Sequence, residues 1–132
     1  MLEGVPVTAY GNDAPAAGRL VTIGQAVSVS AAAETPLTVA SPNEYGYLVY
    51  MRADCTVAGT TAGTWGLKIK SGGTQVLLLQ MPVAAAPVGT SYCWPFPVPW
   101  KTTGQFDQFT ITPSLATMGT WIFVVNGFYS SI

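Results

Sequence analysis

Residues 64–80 read TWGLKIKSGGTQVLLLQ, and this stretch predicts a β-hairpin. In its first half, three apolar residues at every second position (Trp65, Leu67 and Ile69) alternate with two lysines, which is the period of a half-buried strand. The Ser-Gly-Gly sequence at 71–73 can supply the positive φ angles of a tight three-residue loop. We therefore expect two antiparallel strands joined by a short connection.

The predicted return strand, residues 74–81, is apolar on both of its faces, because four apolar residues follow one another from Val76 to Leu79. The same pattern recurs at 45–51 and at 121–125. A strand of this kind is either central in a layered core or covered by a neighbouring molecule. Three such strands exceed what one small sandwich can bury, so part of this surface is predicted to form an interface.

The rest of the chain also favours an all-β fold. Its 14 glycines and 10 prolines interrupt short runs rich in Val, Ile, Thr and aromatic residues, and we find no capped helical period. Eight strands fit an antiparallel, jelly-roll-like β-sandwich. We predict them near residues 18–23, 26–31, 36–40, 45–52, 64–70, 74–81, 106–112 and 119–129.

The 132 residues suit one globular domain, which we place at residues 18–132. Residues 1–17 alternate small residues with proline and glycine and have little to bury alone. They are predicted to form an extended N-terminal arm that makes contacts outside its own sandwich.

Composition argues against several functions. The chain has no histidine, so neither a Ser–His–Asp system nor an imidazole zinc site can form. Charged residues make up 8% of the chain and the formal net charge is -1, which leaves no basic surface for nucleic acid. The six acidic residues are dispersed and fit turns or surface pairs. We therefore predict no enzymatic activity, no catalytic or metal-binding residues and no cofactor, and the apolar runs are too short for a membrane-spanning helix.

The least ordinary stretch is residues 94–100, which read WPFPVPW. Proline at every second position fixes φ and removes amide donors, so we expect an extended segment that is not a central strand. Three interpretations remain open. The aromatic side chains could anchor a protein partner, stack on a carbohydrate, or close the end of the chain's own sandwich.

Eight residues are the candidates for partner contact. They are aromatic or apolar residues of the arm, of the strand near 45–51 and of the proline-rich segment, namely Val5, Val7, Tyr10, Tyr45, Tyr47, Trp94, Phe96 and Trp100. The two cysteines, Cys55 and Cys93, are expected to be small buried thiols rather than a disulfide framework.

Three features together resemble small virion proteins of tailed bacteriophages: the arm at 1–17, the strands rich in Thr, Gly and Ala across 18–132, and the stretch GTWIFVVNGFY at 119–129. The resemblance is to jelly-roll head decoration, or cement, proteins. It implies a homo-oligomer, often a trimer, made in the host cytoplasm and bound to the major capsid protein on the capsid surface. The alternative is a carbohydrate- or receptor-binding β-sandwich, such as a phage tail tip.

Overall fold

The computed structural model describes residues 25–30, 32–38 and 41–132. This part of the chain contains eight β-strands. They are β1 (Gln25–Val29), β2 (Thr35–Pro36), β3 (Tyr45–Val57), β4 (Gly63–Ser71), β5 (Thr74–Val83), β6 (Ser91–Lys101), β7 (Gln108–Pro113) and β8 (Thr120–Ser130).

The strands form two four-stranded sheets, and every pairing is antiparallel. The first sheet has the order β1-β8-β3-β6 and the second has the order β2-β7-β4-β5. This alternation between the sheets is the strand order of an eight-stranded jelly roll. The predicted antiparallel β-sandwich is therefore confirmed.

The strand predicted at 18–23 lies outside the described residues and stays a prediction. The one predicted at 36–40 needs correction, because within the described residues only the two-residue strand β2, which ends at Pro36, overlaps it. The proline-rich segment is extended and is not a central strand, as predicted, but it lies within β6, which was not among the predicted strands. Strand β6 is at the edge of the first sheet, where only the side facing β3 needs hydrogen bonds.

The hairpin of β4 and β5 is confirmed, but its loop is one residue shorter than predicted. Ser71 pairs with Thr74, which leaves Gly72 and Gly73 as the connection. Gly72 has a φ of 59°, and glycine at the first central position is typical of a two-residue hairpin turn.

The core lies between the sheets and is centred on Trp65 of β4. This side chain is fully buried, and its ring centroid lies 4.8 Å from that of Trp121 and 4.8 Å from that of Phe123, both on β8. Edge-to-face contacts of this kind add to the burial of apolar area. Trp121, Phe123 and Val125 alternate with less buried residues along β8, so the two-residue period directs one face of the first sheet onto Trp65.

Candidate functional site

The acidic residues that the structure describes are the first candidates for a metal site. No group of three or more His, Cys, Asp or Glu residues in this part of the chain could hold a metal ion. Asp54 forms an ion pair of 2.9 Å with Arg52, and a hydrogen bond from the Ser91 hydroxyl lowers the pKa of Asp54. Within the same residues, no helix is long and apolar enough to cross a membrane.

Asp107 is buried, whereas the acidic residues were expected in turns or in surface pairs. It precedes β7, is 7% exposed, and accepts a hydrogen bond of 2.7 Å from the Gly104 amide. Its side chain therefore closes the loop that leads into β7. Phe106, with a φ of 70°, lies in the same loop.

The proline-rich segment forms a projection from the edge of the first sheet. The register between β3 and β6 pairs Leu48 with Trp100 and Tyr50 with Pro95. Four residues, 96–99, are thus opposed by a single residue of β3. We call residues 96–99 the projection. Because a strand cannot accommodate three extra residues in plane, the chain must bulge away from β3 at this point.

The outer part of the projection is exposed and apolar. Val98 is 83% exposed, which is the largest value among the exposed large hydrophobic residues of the described chain. Residues 96–100 line an apolar hollow of about 550 Å³. Phe96 and Trp100 are among these lining residues, and their ring centroids lie 6.4 Å apart in an edge-to-face arrangement.

The aromatic residues of β6 also pack on their own core. Trp94, Phe96 and Trp100 are all partly buried against it. Trp94 lies 5.7 Å from Trp65 and stacks on Tyr92 at 5.9 Å. These contacts favour the interpretation in which the rings close the sandwich, and partner contact through them stays a prediction.

Tyr45 and Tyr47 lie on the outer face of the first sheet, and each ring has a partner within the chain. The ammonium group of Lys101 lies 4.2 Å from the centroid of the Tyr45 ring, and the Tyr47 ring stacks on Phe128 at 4.6 Å. The Tyr47 hydroxyl donates to the carbonyl oxygen of Ile132. The other candidates, Val5, Val7 and Tyr10, lie outside the described residues.

The cysteines are not bridged, and the prediction that both thiols are buried is half wrong. Cys55 is buried, whereas Cys93 is exposed on β6. A hydrogen bond with Cys93 raises the pKa of Tyr50. Cys93 faces outwards because β6 alternates between exposed and partly buried residues from Ser91 onwards.

One exposed apolar surface was predicted only in outline. Strand β5 is the outer strand of the second sheet, so the alternative that placed it centrally is wrong. Val76 and Leu77 are each 52% exposed, while Leu78 and Leu79 are partly buried against the core. The run of four apolar residues indicated uncovered surface, but only the strand order shows that this surface includes a backbone edge with no strand beside it among the described residues.

Two comparisons with known proteins found no match. No protein-family model matches the chain, and no curated protein does. Two similar solved structures are both described as a pentameric capsid protein isolated from metagenomic phage sequences. The first has a TM-score of 0.43 and 16% sequence identity and covers 83% of this chain and 63% of the other. The second, solved by iodide phasing, has a TM-score of 0.36 and 17% identity, with coverages of 83% and 66%. The chain thus spans less than two thirds of either structure, and its structural similarity to a phage capsid protein is distant.

Proposed function

We propose that this chain is a structural virion protein that forms homo-oligomers and stabilises a phage head by bridging neighbouring capsid subunits. The observation that carries the proposal is the projection at residues 96–99. An exposed valine at the tip of a proline-braced strand edge is suited to burial against another protein, because the prolines have already fixed its backbone.

The surrounding surface is consistent with assembly. Only 11 of the 132 residues are charged, so copies of the chain repel one another weakly at close approach. Eight-stranded jelly rolls recur in viral capsid domains as well as in lectins, although a fold by itself does not determine a function. The resemblance of the sequence to head decoration proteins favours the first of these classes.

In the proposed mechanism, each copy buries apolar surface across a joint between capsid subunits. A modest interface energy is sufficient, because many copies act on the same shell and an oligomer engages several sites at once. The predicted arm, residues 1–17, belongs to this proposal as a second contact with the shell. A trimer is the predicted oligomer.

The test combines a mass measurement with a binding assay. Light scattering of the full chain at micromolar concentration should give a multiple of 13.8 kDa, with three copies as the predicted number. The chain should also co-sediment with purified heads of the phage that encodes it, after those heads have been stripped of it. A strict monomer that fails to bind the stripped heads would refute the proposal.

Deletion of residues 1–17 tests the contribution of the predicted arm separately from that of the sandwich. The melting temperature should change little, because the predicted arm has little to bury, whereas attachment to the stripped heads should weaken. A large loss of intrinsic stability would show that these residues belong to the core of the domain.

A further inference from the structure

A second surface, on the opposite sheet from the projection, carries a further inference. Strand β5 has ten residues and forms the outer edge of the second sheet. None of its residues is charged, and two of them, Val76 and Leu77, are about half exposed. An edge strand has unpaired amide and carbonyl groups on one side, and natural proteins usually protect such an edge with charges, prolines or shortness.

The other outer strands of the described chain have that protection. Strand β6 carries Pro95, Pro97 and Pro99, which lack amide donors. Strand β2 has only two residues and ends at Pro36, and β1 has five residues. Strand β5 has one proline, Pro82, near its end, so residues 74–81 are the longest edge without proline or charge among the outer strands that the structure describes.

Six of the ten residues of β5 form a nearly symmetric sequence. Residues 75–80 read QVLLLQ, so an antiparallel copy places each Gln opposite a Gln and apolar residues opposite apolar residues. A regular strand could not use this symmetry, because residues 75 and 80 would point to opposite faces. Strand β5 has a bulge, however: Lys68 pairs with Leu77 and Leu67 pairs with Leu79, which leaves Leu78 as an extra residue.

Because of this bulge, the symmetry-related positions of residues 75–80 can point to the same face of the sheet. Val76 pairs with Ile69 and Leu79 pairs with Leu67, and both partners are buried, so these two residues share the inward face. Gln75 lies opposite Lys70 and Gln80 lies opposite Gly66, on the outward face. The positions in the pairs Gln75 with Gln80 and Val76 with Leu79 therefore agree in face, as pairing with a second, antiparallel copy requires.

We propose that β5 pairs with β5 of a second copy of this chain about a two-fold axis. The register places Gln75 opposite Gln80 of the partner subunit and Val76 opposite Leu79 of the partner subunit. Leu77 meets Leu78 of the partner subunit at the axis. The two second sheets then form one continuous eight-stranded sheet.

Charge does not oppose this pairing. The nearest lysines, Lys68 and Lys70, lie on β4, one strand inside the edge, and Lys70 is already paired with Glu34 at 3.1 Å. Across the proposed axis, the two β4 strands lie three strand spacings apart, roughly 14 Å. This separation exceeds the Debye length of about 8–10 Å at ordinary ionic strength. The edge thus accepts a copy of itself without repulsion between like charges.

Disulfide trapping tests the register. In a Cys93→Ser background, which removes the exposed thiol, Gln75→Cys and Gln80→Cys are made as separate single variants. Mixed under mild oxidation, they should give a covalent dimer. Each variant alone should give little, because identical positions lie five residues apart along the strands, roughly 17 Å, and a disulfide requires Cα atoms within about 7 Å. Absence of a cross-link in the mixture, or equal cross-linking of the single variants, would overturn the proposal.

A charge variant tests the same contact without cysteines. Leu77→Lys places two like charges at the axis and should weaken the contact at least about tenfold by sedimentation analysis. The matched control is Val57→Lys, at a residue that is 56% exposed at the end of β3 in the first sheet. It should leave the contact unchanged, and circular dichroism should show that both variants fold. Equal effects of the two substitutions would refute the assignment to β5.

This inference uses a different surface from the proposed function, so the two can fail separately. If β5 cross-links but the chain does not bind phage heads, the two-fold contact stands and the virion role fails. If the chain assembles and binds heads without a β5 cross-link, the virion role stands and the two-fold contact is wrong.

Discussion

Two residues of β6, Trp94 and Val98, have different surroundings, and this difference leads to a quantitative prediction. Trp94 is half-buried and lies 5.7 Å from Trp65 in the core, whereas Val98 is 83% exposed at the tip of the projection. Substituting each residue separately should therefore distinguish an effect on folding from an effect on assembly. We expect Trp94→Ala to reduce the stability of the fold, and Val98→Ser to reduce assembly alone.

The magnitude for Trp94 follows from its surroundings. Truncation of a fully buried aromatic residue costs about 3–5 kcal/mol, and roughly half of that, about 2 kcal/mol, is expected for a half-buried ring. With a urea m-value of about 2 kcal/mol per molar, the unfolding midpoint should fall by about 1 M. Val98→Ser should change the free energy of unfolding by no more than about 0.5 kcal/mol, as is usual for exposed positions.

The assay is equilibrium urea unfolding followed by tryptophan fluorescence, with circular dichroism as a second probe because Trp94→Ala removes a fluorophore. Light scattering of each variant, under conditions where it is fully folded, measures assembly. An unchanged urea midpoint for Trp94→Ala would refute the placement of this ring on the core. Unchanged assembly of Val98→Ser would refute the role of the projection.

Three further predictions concern the backbone, the carboxylates and the thiols. Gly127→Ala should destabilise the fold by roughly 3 kcal/mol or more in urea unfolding, because the new Cβ would press on the backbone of β3. The control Gly72→Ala, at an open turn with positive φ, should cost only about 1 kcal/mol, and equal costs for the two variants would contradict this reasoning. The pKa of Asp54 is lower in the folded state than its unfolded value of 3.8, so its carboxylate stabilises the fold above pH 3.8, and this stability is lost as the pH falls through the folded pKa. Asp54→Asn should therefore make the free energy of unfolding less dependent on pH in that range, and an unaltered pH dependence would contradict this role of Asp54. Cys93 should react with a thiol reagent in the native state, while Cys55 should react only on unfolding, and two fast thiols would contradict the structure.

Much of the fold was predictable, because burial on one face leaves a two-residue period in the sequence. The hairpin at 64–80 shows this most directly, since its alternating apolar residues are the buried residues of β4. The prolines of β6 correctly predicted an extended segment that is not a central strand, because proline within a sheet is confined largely to edges. The ladder of β6 with β3 was not predicted, because no local pattern shows which strand will be its neighbour.

The candidate site was predictable in composition but not in arrangement. The sequence identified the tryptophans at 94 and 100 and the uncovered apolar run at 76–79 as unusual. It could not show that the rings pack on Trp65 and its neighbours while Val98 remains outside, because that distinction depends on a register jump between β3 and β6. The bulge at Leu78 is likewise a property of pairing between strands and leaves no local signal.

The two outer strands β5 and β6 follow each other in the chain. Their sheets are in contact through Trp65 of β4, the strand next to β5, and Trp94 of β6. Prolines at three positions of β6 remove amide donors, whereas β5 carries no charged residue and has one proline, Pro82, near its end. If both edges were open, copies could join through either one and continue without limit, which is how exposed edges lead to aggregation. With β6 protected, strand addition at these two edges is restricted to β5, where the proposed two-fold pairing occupies the edge and prevents further growth from it. Contacts through the projection then depend on side chains instead of the ladder. The prolines thereby allow a small sandwich to carry two kinds of contact without competition between them.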